Sequence, residues 1–67
     1  MPFENLVDFQ QDGMAARARG LGHESNPLLA RECLPQITGE ATEDWRWKAE
    51  AWLFGWLVEN AWRQDER

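Results

Sequence analysis

The sequence predicts an all-α domain: two long antiparallel helices joined by a proline-containing linker that carries a short helix. Three observations lead there. No stretch alternates apolar and polar residues as a half-buried strand would. Two stretches place apolar or small residues at helical spacing, and residues that start and stop helices punctuate the chain between them. The expected elements lie in one domain, 1–67: a helix over about 3–21, a short helix over about 27–33 and a long helix over about 43–64.

In the first helix, Glu4 and Asp8 stand near the positive N-terminal end, and Arg17 and Arg19 near the negative C-terminal end. Both placements suit the helix dipole. Gly13 costs about 1 kcal/mol relative to alanine inside a helix, so its presence there calls for a packing reason. Gly13, Ala16 and Gly20 are three and four residues apart and form a smooth strip that a second helix can approach closely. Gly20 and Gly22 then end the helix.

Asn26-Pro27 is a start signal, with asparagine as N-cap and proline at the first helical position. It opens the short helix, whose Leu28 and Leu29, with Leu34 after them, are expected to turn inward and which Pro35 ends; a loop from Gln36 to Ala41 around Gly39 follows. Thr42 is the expected N-cap of the long helix, with Glu43 and Asp44 in its first turn. That helix holds all five tryptophans. On a wheel of 100° per residue, Trp45, Ala49, Trp52 and Trp56 share one stripe. Trp47, Phe54, Val58 and Ala61 lie opposite, and Ala51, Gly55 and Trp62 form a third strip. A helix apolar nearly all round is usually buried on nearly every side, yet so short a chain cannot cover all of Trp45, Trp47 and Trp62, while Trp52 and Trp56 at the helix centre are expected in the core. Asp65, Glu66 and Arg67 read as a frayed polar tail.

At 67 residues a chain buries only about 60% of its unfolded surface and needs a dense core, a partner or self-association. Cys33 is the only cysteine and His23 the only histidine, so neither a disulfide nor a cysteine-built metal site is expected. Acidic residues outnumber basic ones 12 to 7, giving a net charge of −5. This disfavours direct binding to nucleic acid and favours a basic protein surface. The start lacks a basic segment followed by an apolar run, and Ala51–Val58 is too short to span a bilayer. A cytoplasmic location without membrane contact fits.

Catalytic machinery is not visible. His23 in its polar loop reads as a surface or capping residue rather than a base. Cys33 among leucines reads as a small hydrophobe rather than a nucleophile. Glu40, Glu43 and Asp44 lack calcium-loop spacing and suit a helix start. Gly20-x-Gly22 follows a helix, not a strand, and cradles no phosphate. Arg17 and Arg19 are either a solvated helix face or a grip on phosphate or an acidic partner. No cofactor and no metal is expected.

Two patterns together resemble a known family. They are Gly13-Met14-Ala15-Ala16-Arg17-Ala18-Arg19-Gly20 followed by Asn26-Pro27, and Trp52-Leu53-Phe54-Gly55-Trp56. The chain looks like the ribosome modulation factor superfamily of small bacterial or phage proteins, which includes CrpP-like members. The resemblance covers about 13–61. It implies a two-helix fold in which Gly13, Ala16 and Gly20 form the contact face, Pro27 is the turn proline, and Trp52, Gly55 and Trp56 define the second helix, with Gly55 facing the first. Leu28 stands where the family has tyrosine, and the segment from Pro27 to Trp52 is longer than in ribosome-binding members. The acidic balance departs from the basic, RNA-binding hibernation factor.

The expected function is that of a small non-enzymatic regulator or inhibitor that binds a protein or ribonucleoprotein. Its contact surface would comprise Trp45, Trp47 and Trp62, the acidic Glu40, Glu43 and Asp44, and Arg17 with Arg19. By analogy, size and charge suit a phage-type inhibitor of a nucleic-acid machine, such as an anti-CRISPR protein. A ribosome-associated hibernation factor is the alternative, and homodimerisation is open.

Overall fold

A computed structural model describes the backbone of residues 3–65 and the side chains of residues 6–64. The expected dipole contact of Glu4 and the tail residues Glu66 and Arg67 lie outside the described residues. Every regular element among the described residues is helical: α1 (Phe3–Ala18), α2 (Pro35–Thr38) and α3 (Thr42–Asp65), with single 3₁₀ turns at His23–Ser25, Pro27–Leu29 and Arg31–Cys33.

α1 ends earlier than the expected residue 21, in a Schellman motif. The Gly20 N–H donates to the Arg17 carbonyl at 2.9 Å and the Leu21 N–H to the Ala16 carbonyl at 3.0 Å. Gly20 adopts the left-handed conformation, φ +83°, that this cap requires. Gly20 therefore does not extend the packing strip. It is exposed, and nothing lies within 4 Å of where its Cβ would stand.

The expected short helix 27–33 is instead two 3₁₀ turns. Pro35 does not terminate a helix; it occupies the first turn of α2, which Gly39 closes at φ +79°. α3 begins one residue earlier than expected, at Thr42 itself: the Trp45 N–H donates to the Ala41 carbonyl at 3.1 Å, so Ala41 holds the cap position assigned to Thr42. At the other end Asp65, expected in the tail, is still helical.

The two long helices meet at their glycines. A Cβ on Gly13 would fall 2.9 Å from the Trp56 backbone nitrogen and closer still to the Trp52 carbonyl oxygen. A Cβ on Gly55 would fall 2.9 Å from Gln10 Cα and closer to the Gln10 carbonyl. Each glycine thus admits the other helix's backbone, and Trp52, 2% exposed, seals the crossing with buried Ala16 and Ala51.

Partners climb together along the two helices. Leu6 and Val7 share a depression with Trp47 and Ala51. Gly13 meets Trp52 and Trp56, Met14 shares a second depression with Val58 and Trp62, and Arg17 reaches Asn60. The helices therefore run in the same direction, which corrects the antiparallel expectation. The physical reason is the path of the linker. The Leu21 carbonyl accepts from Trp56 Nε1–H at 2.9 Å, Asn26 bonds the Ala49 carbonyl, and the Leu28 carbonyl accepts from Trp45 Nε1–H at 2.8 Å. The linker thus descends α3 from Trp56 to Trp45, retracing about 17 Å at 1.5 Å per residue.

The molecule measures 44 × 23 × 13 Å along its principal axes. Its accessible surface is 4917 Å², against about 4,400 Å² for a folded monomer of this mass.

Candidate interaction surface

α3 is covered on one side only. The stripe of Trp45, Ala49, Trp52 and Trp56 takes the linker and α1. The opposite side is bare: Trp47 is 53% exposed and Phe54 57%, with Leu57 and Val58 also exposed, and Trp62 beside it on the third strip is 66% exposed. The shortfall of cover expected from so short a chain falls on this side of α3. Its apolar character serves two faces, and this chain supplies a cover for one.

The tryptophans divide accordingly. Trp45 is half-buried and committed to Leu28. Trp56 is held by its bond to Leu21, by the edge of His23 at 5.6 Å and by the Arg17 guanidinium 6.0 Å from its ring. Asn26, 6% exposed, fixes the linker from both ends of its amide. Its Oδ1 accepts from the Leu28 N–H at 3.0 Å, and its Nδ2 donates to the Ala49 carbonyl at 3.1 Å. Pro27 follows in the first position of its 3₁₀ turn.

The residues expected to form one contact surface do not share a face. Trp47 and Trp62 are on the open side of α3, and Trp45 is turned about 160° away from Trp47 on the wheel. Glu40 is tied to Lys48 at 2.6 Å. Arg17 Nε–H donates to Asn60 Oδ1 at 2.8 Å, so its charge is engaged inside the fold. Arg19 is exposed in the turn after α1, and Glu43 and Asp44 are exposed in the first turn of α3.

The open face gains residues the sequence reading did not single out as a site: Phe54, Leu57 and Val58 on α3, and Val7 and Met14 on α1, all exposed. One open depression of about 460 Å³ lies among Leu6, Val7, Trp47, Ala51 and Phe54. A second of about 500 Å³ lies among Met14, Val58, Ala61 and Trp62. The signal in the sequence was spacing: Trp47, Ala51, Phe54, Val58 and Ala61 are separated by four, three, four and three residues, the seam repeat of a helix that packs on another helix.

The three aromatics on this face expose roughly 350 Å², taking about 200 Å² for each ring. The apolar share of one side of a standard protein interface is about 450 Å², and Val7, Met14, Leu57 and Val58 add to the aromatic figure.

Among the described residues, no His, Cys, Asp or Glu side chains gather in a group of three that could hold a metal ion. No described helix is long and apolar enough to cross a membrane. Compared with known proteins, the chain matches no family model, no curated protein and no solved structure.

Proposed function

We propose that this chain is a small non-enzymatic regulator or inhibitor that works by binding another macromolecule through the open face of α3 and α1. The carrying observation is the bare apolar surface from Trp47 through Phe54 to Trp62, which the rest of the chain leaves uncovered. The largest apolar patch of a monomer is often functional, and tryptophan is among the side chains enriched at the energetic centres of interfaces. An inhibitor of a nucleic-acid machine is the specific form that size and negative charge suit. Contact would then run to a protein component.

Affinity capture from a lysate of the source organism tests this, comparing the wild type with Phe54→Glu. A partner retained by the wild type and lost by a folded Phe54→Glu variant is the expected result. Identical capture by both proteins would refute the assignment of the face. Ribosome association is the second reading. The close glycine contact of α1 and α3 favours a shared packing scheme, and the net charge of −5 weighs against RNA contact. Co-sedimentation with ribosomes at moderate salt decides it: absence from every ribosomal fraction removes this reading.

A further inference from the structure

We infer that the occupant of this face is a basic amphipathic helix of a protein partner. The inference rests on the reading of the face as a binding surface and narrows it to one chemistry.

Spacing selects a helix. The exposed Trp47, Phe54, Val58 and Ala61 are seven, four and three residues apart, the positions of a 3.5-residue repeat, with Ala51 buried beneath them. Such a seam accepts the knobs of a second helix and suits neither the period-two side chains of a strand nor a phosphate backbone. The second wall keeps the same repeat: Val7 and Met14 on α1 are seven residues apart. Because α1 and α3 run in the same direction, both walls stay in step, with Val7 beside Trp47 and Phe54 and Met14 beside Val58 and Trp62. Two in-step walls leave the slot of a third helix. The seam from Trp47 to Ala61 is about 21 Å long at 1.5 Å per residue, which four turns of helix would fill.

Charge selects the sign. Glu43 and Glu50 flank Trp47 on the outer edge of the slot, with Arg46 between them, and exposed Asp44 stands in the same turn as Glu43. Glu59, beside the second depression, is paired with Arg63. The edge is therefore net acidic on a chain of net charge −5. Lysine or arginine flanking the seam of an incoming helix meets attraction, whereas acidic flanks, or a second copy with its own −5, meet repulsion.

The probe is an eighteen-residue helical peptide with leucines at heptad spacing and lysine flanks. Two others accompany it: the same peptide with glutamate flanks, and one of the first peptide's composition with its leucines respaced to alternate. Binding is read from the tryptophan fluorescence of the full chain, whose Trp47 and Trp62 are exposed. The lysine peptide is expected to bind at least about tenfold more tightly than either comparison peptide, and to weaken as salt rises. Phe54→Glu, or Trp62→Ala should the first variant be less stable, is expected to lose at least about tenfold of that affinity.

Equal binding of lysine and glutamate peptides, or no binding of either, overturns the inference. So does a mass of two chains by light scattering that Phe54→Glu returns to one, which would make a second copy the occupant. If the peptides fail while lysate capture still depends on Phe54, the binding face stands and the basic helix falls.

Discussion

The crossing of α1 and α3 makes a prediction in which two effects oppose each other. Replacing Gly13 by alanine removes a helix-interior glycine, which alone would stabilise α1 by about 1 kcal/mol. The new methyl, however, would fall on the Trp52 carbonyl and 2.9 Å from the Trp56 nitrogen. Those are backbone atoms and cannot swing aside as the end of a long side chain can. The helices must separate, and overpacking of this kind costs typically about 1–3 kcal/mol, sometimes more. Because both contacts are with backbone, the cost falls in the upper part of that range, about 2–3 kcal/mol, and the net expectation is destabilisation by about 1–2 kcal/mol. For a domain of this size that lowers Tm by about 5–15 °C, read by circular dichroism melting. Gly55→Ala, which meets the Gln10 backbone, should behave alike. The double variant should cost less than the sum, because one separation of the helices relieves both. Gly20 provides the contrast. Its surroundings are empty, and only its positive φ resists a side chain. Gly20→Asn should therefore recover much of what Gly20→Ala loses, while Gly13→Asn should be worse than Gly13→Ala. A Gly13→Ala protein with a raised Tm would mean that propensity wins and that the close approach is not what selects glycine.

Three further outcomes follow from the same contacts. Asn26→Ala should cost about 2–3 kcal/mol in urea unfolding, since it deletes one bond to Ala49 and one to Leu28 and orphans a buried N–H; a loss below about 0.5 kcal/mol would show that the linker is not held there. Trp52→Ala should cost about 3–5 kcal/mol, whereas Phe54→Ala should stay within about 0.5 kcal/mol of wild type while weakening partner capture; comparable stability losses would mean that Phe54 is covered in solution. Glu40→Gln breaks the pair with Lys48 and should cost less than about 1 kcal/mol, shrinking as salt is raised; a salt-independent loss of several kcal/mol would contradict a partly solvated pair.

Local chemistry in this sequence was legible. The punctuation at Gly20 and Asn26-Pro27 sits where the chain changes course, because caps and turns depend on neighbours within a few residues. The small residues Gly13 and Gly55 could be read as a close approach, since a glycine inside a helix is otherwise a net cost. The direction of α3 relative to α1 was not legible. It is decided by where the segment 19–41 goes, and that depends on Trp56, Ala49 and Trp45 offering partners to Leu21, Asn26 and Leu28, contacts no local pattern encodes. A helical wheel likewise displayed two apolar stripes on α3 without saying which one the chain covers. Trp45 and Trp47 illustrate the limit: two residues apart and chemically identical, one is fastened to the linker and the other faces solvent. For the charged candidates, Arg17 and Glu40 look free in sequence, and only folding brings Asn60 and Lys48 to them.

Same-direction helices also set how the chain can fold. A helical hairpin closes by zipping outward from its turn, so its first tertiary contacts are local. Here the contacts that define the fold join residues far apart: Trp45 to Leu28 across 17 positions, Trp56 to Leu21 across 35 and Arg17 to Asn60 across 43. The entropy of closing the linker must be met before those contacts stabilise anything. Refolding should therefore be slower than for a helical hairpin of equal length and stability. During synthesis α1 has no docking site until α3 has emerged, and throughout that interval its glycine strip is uncovered.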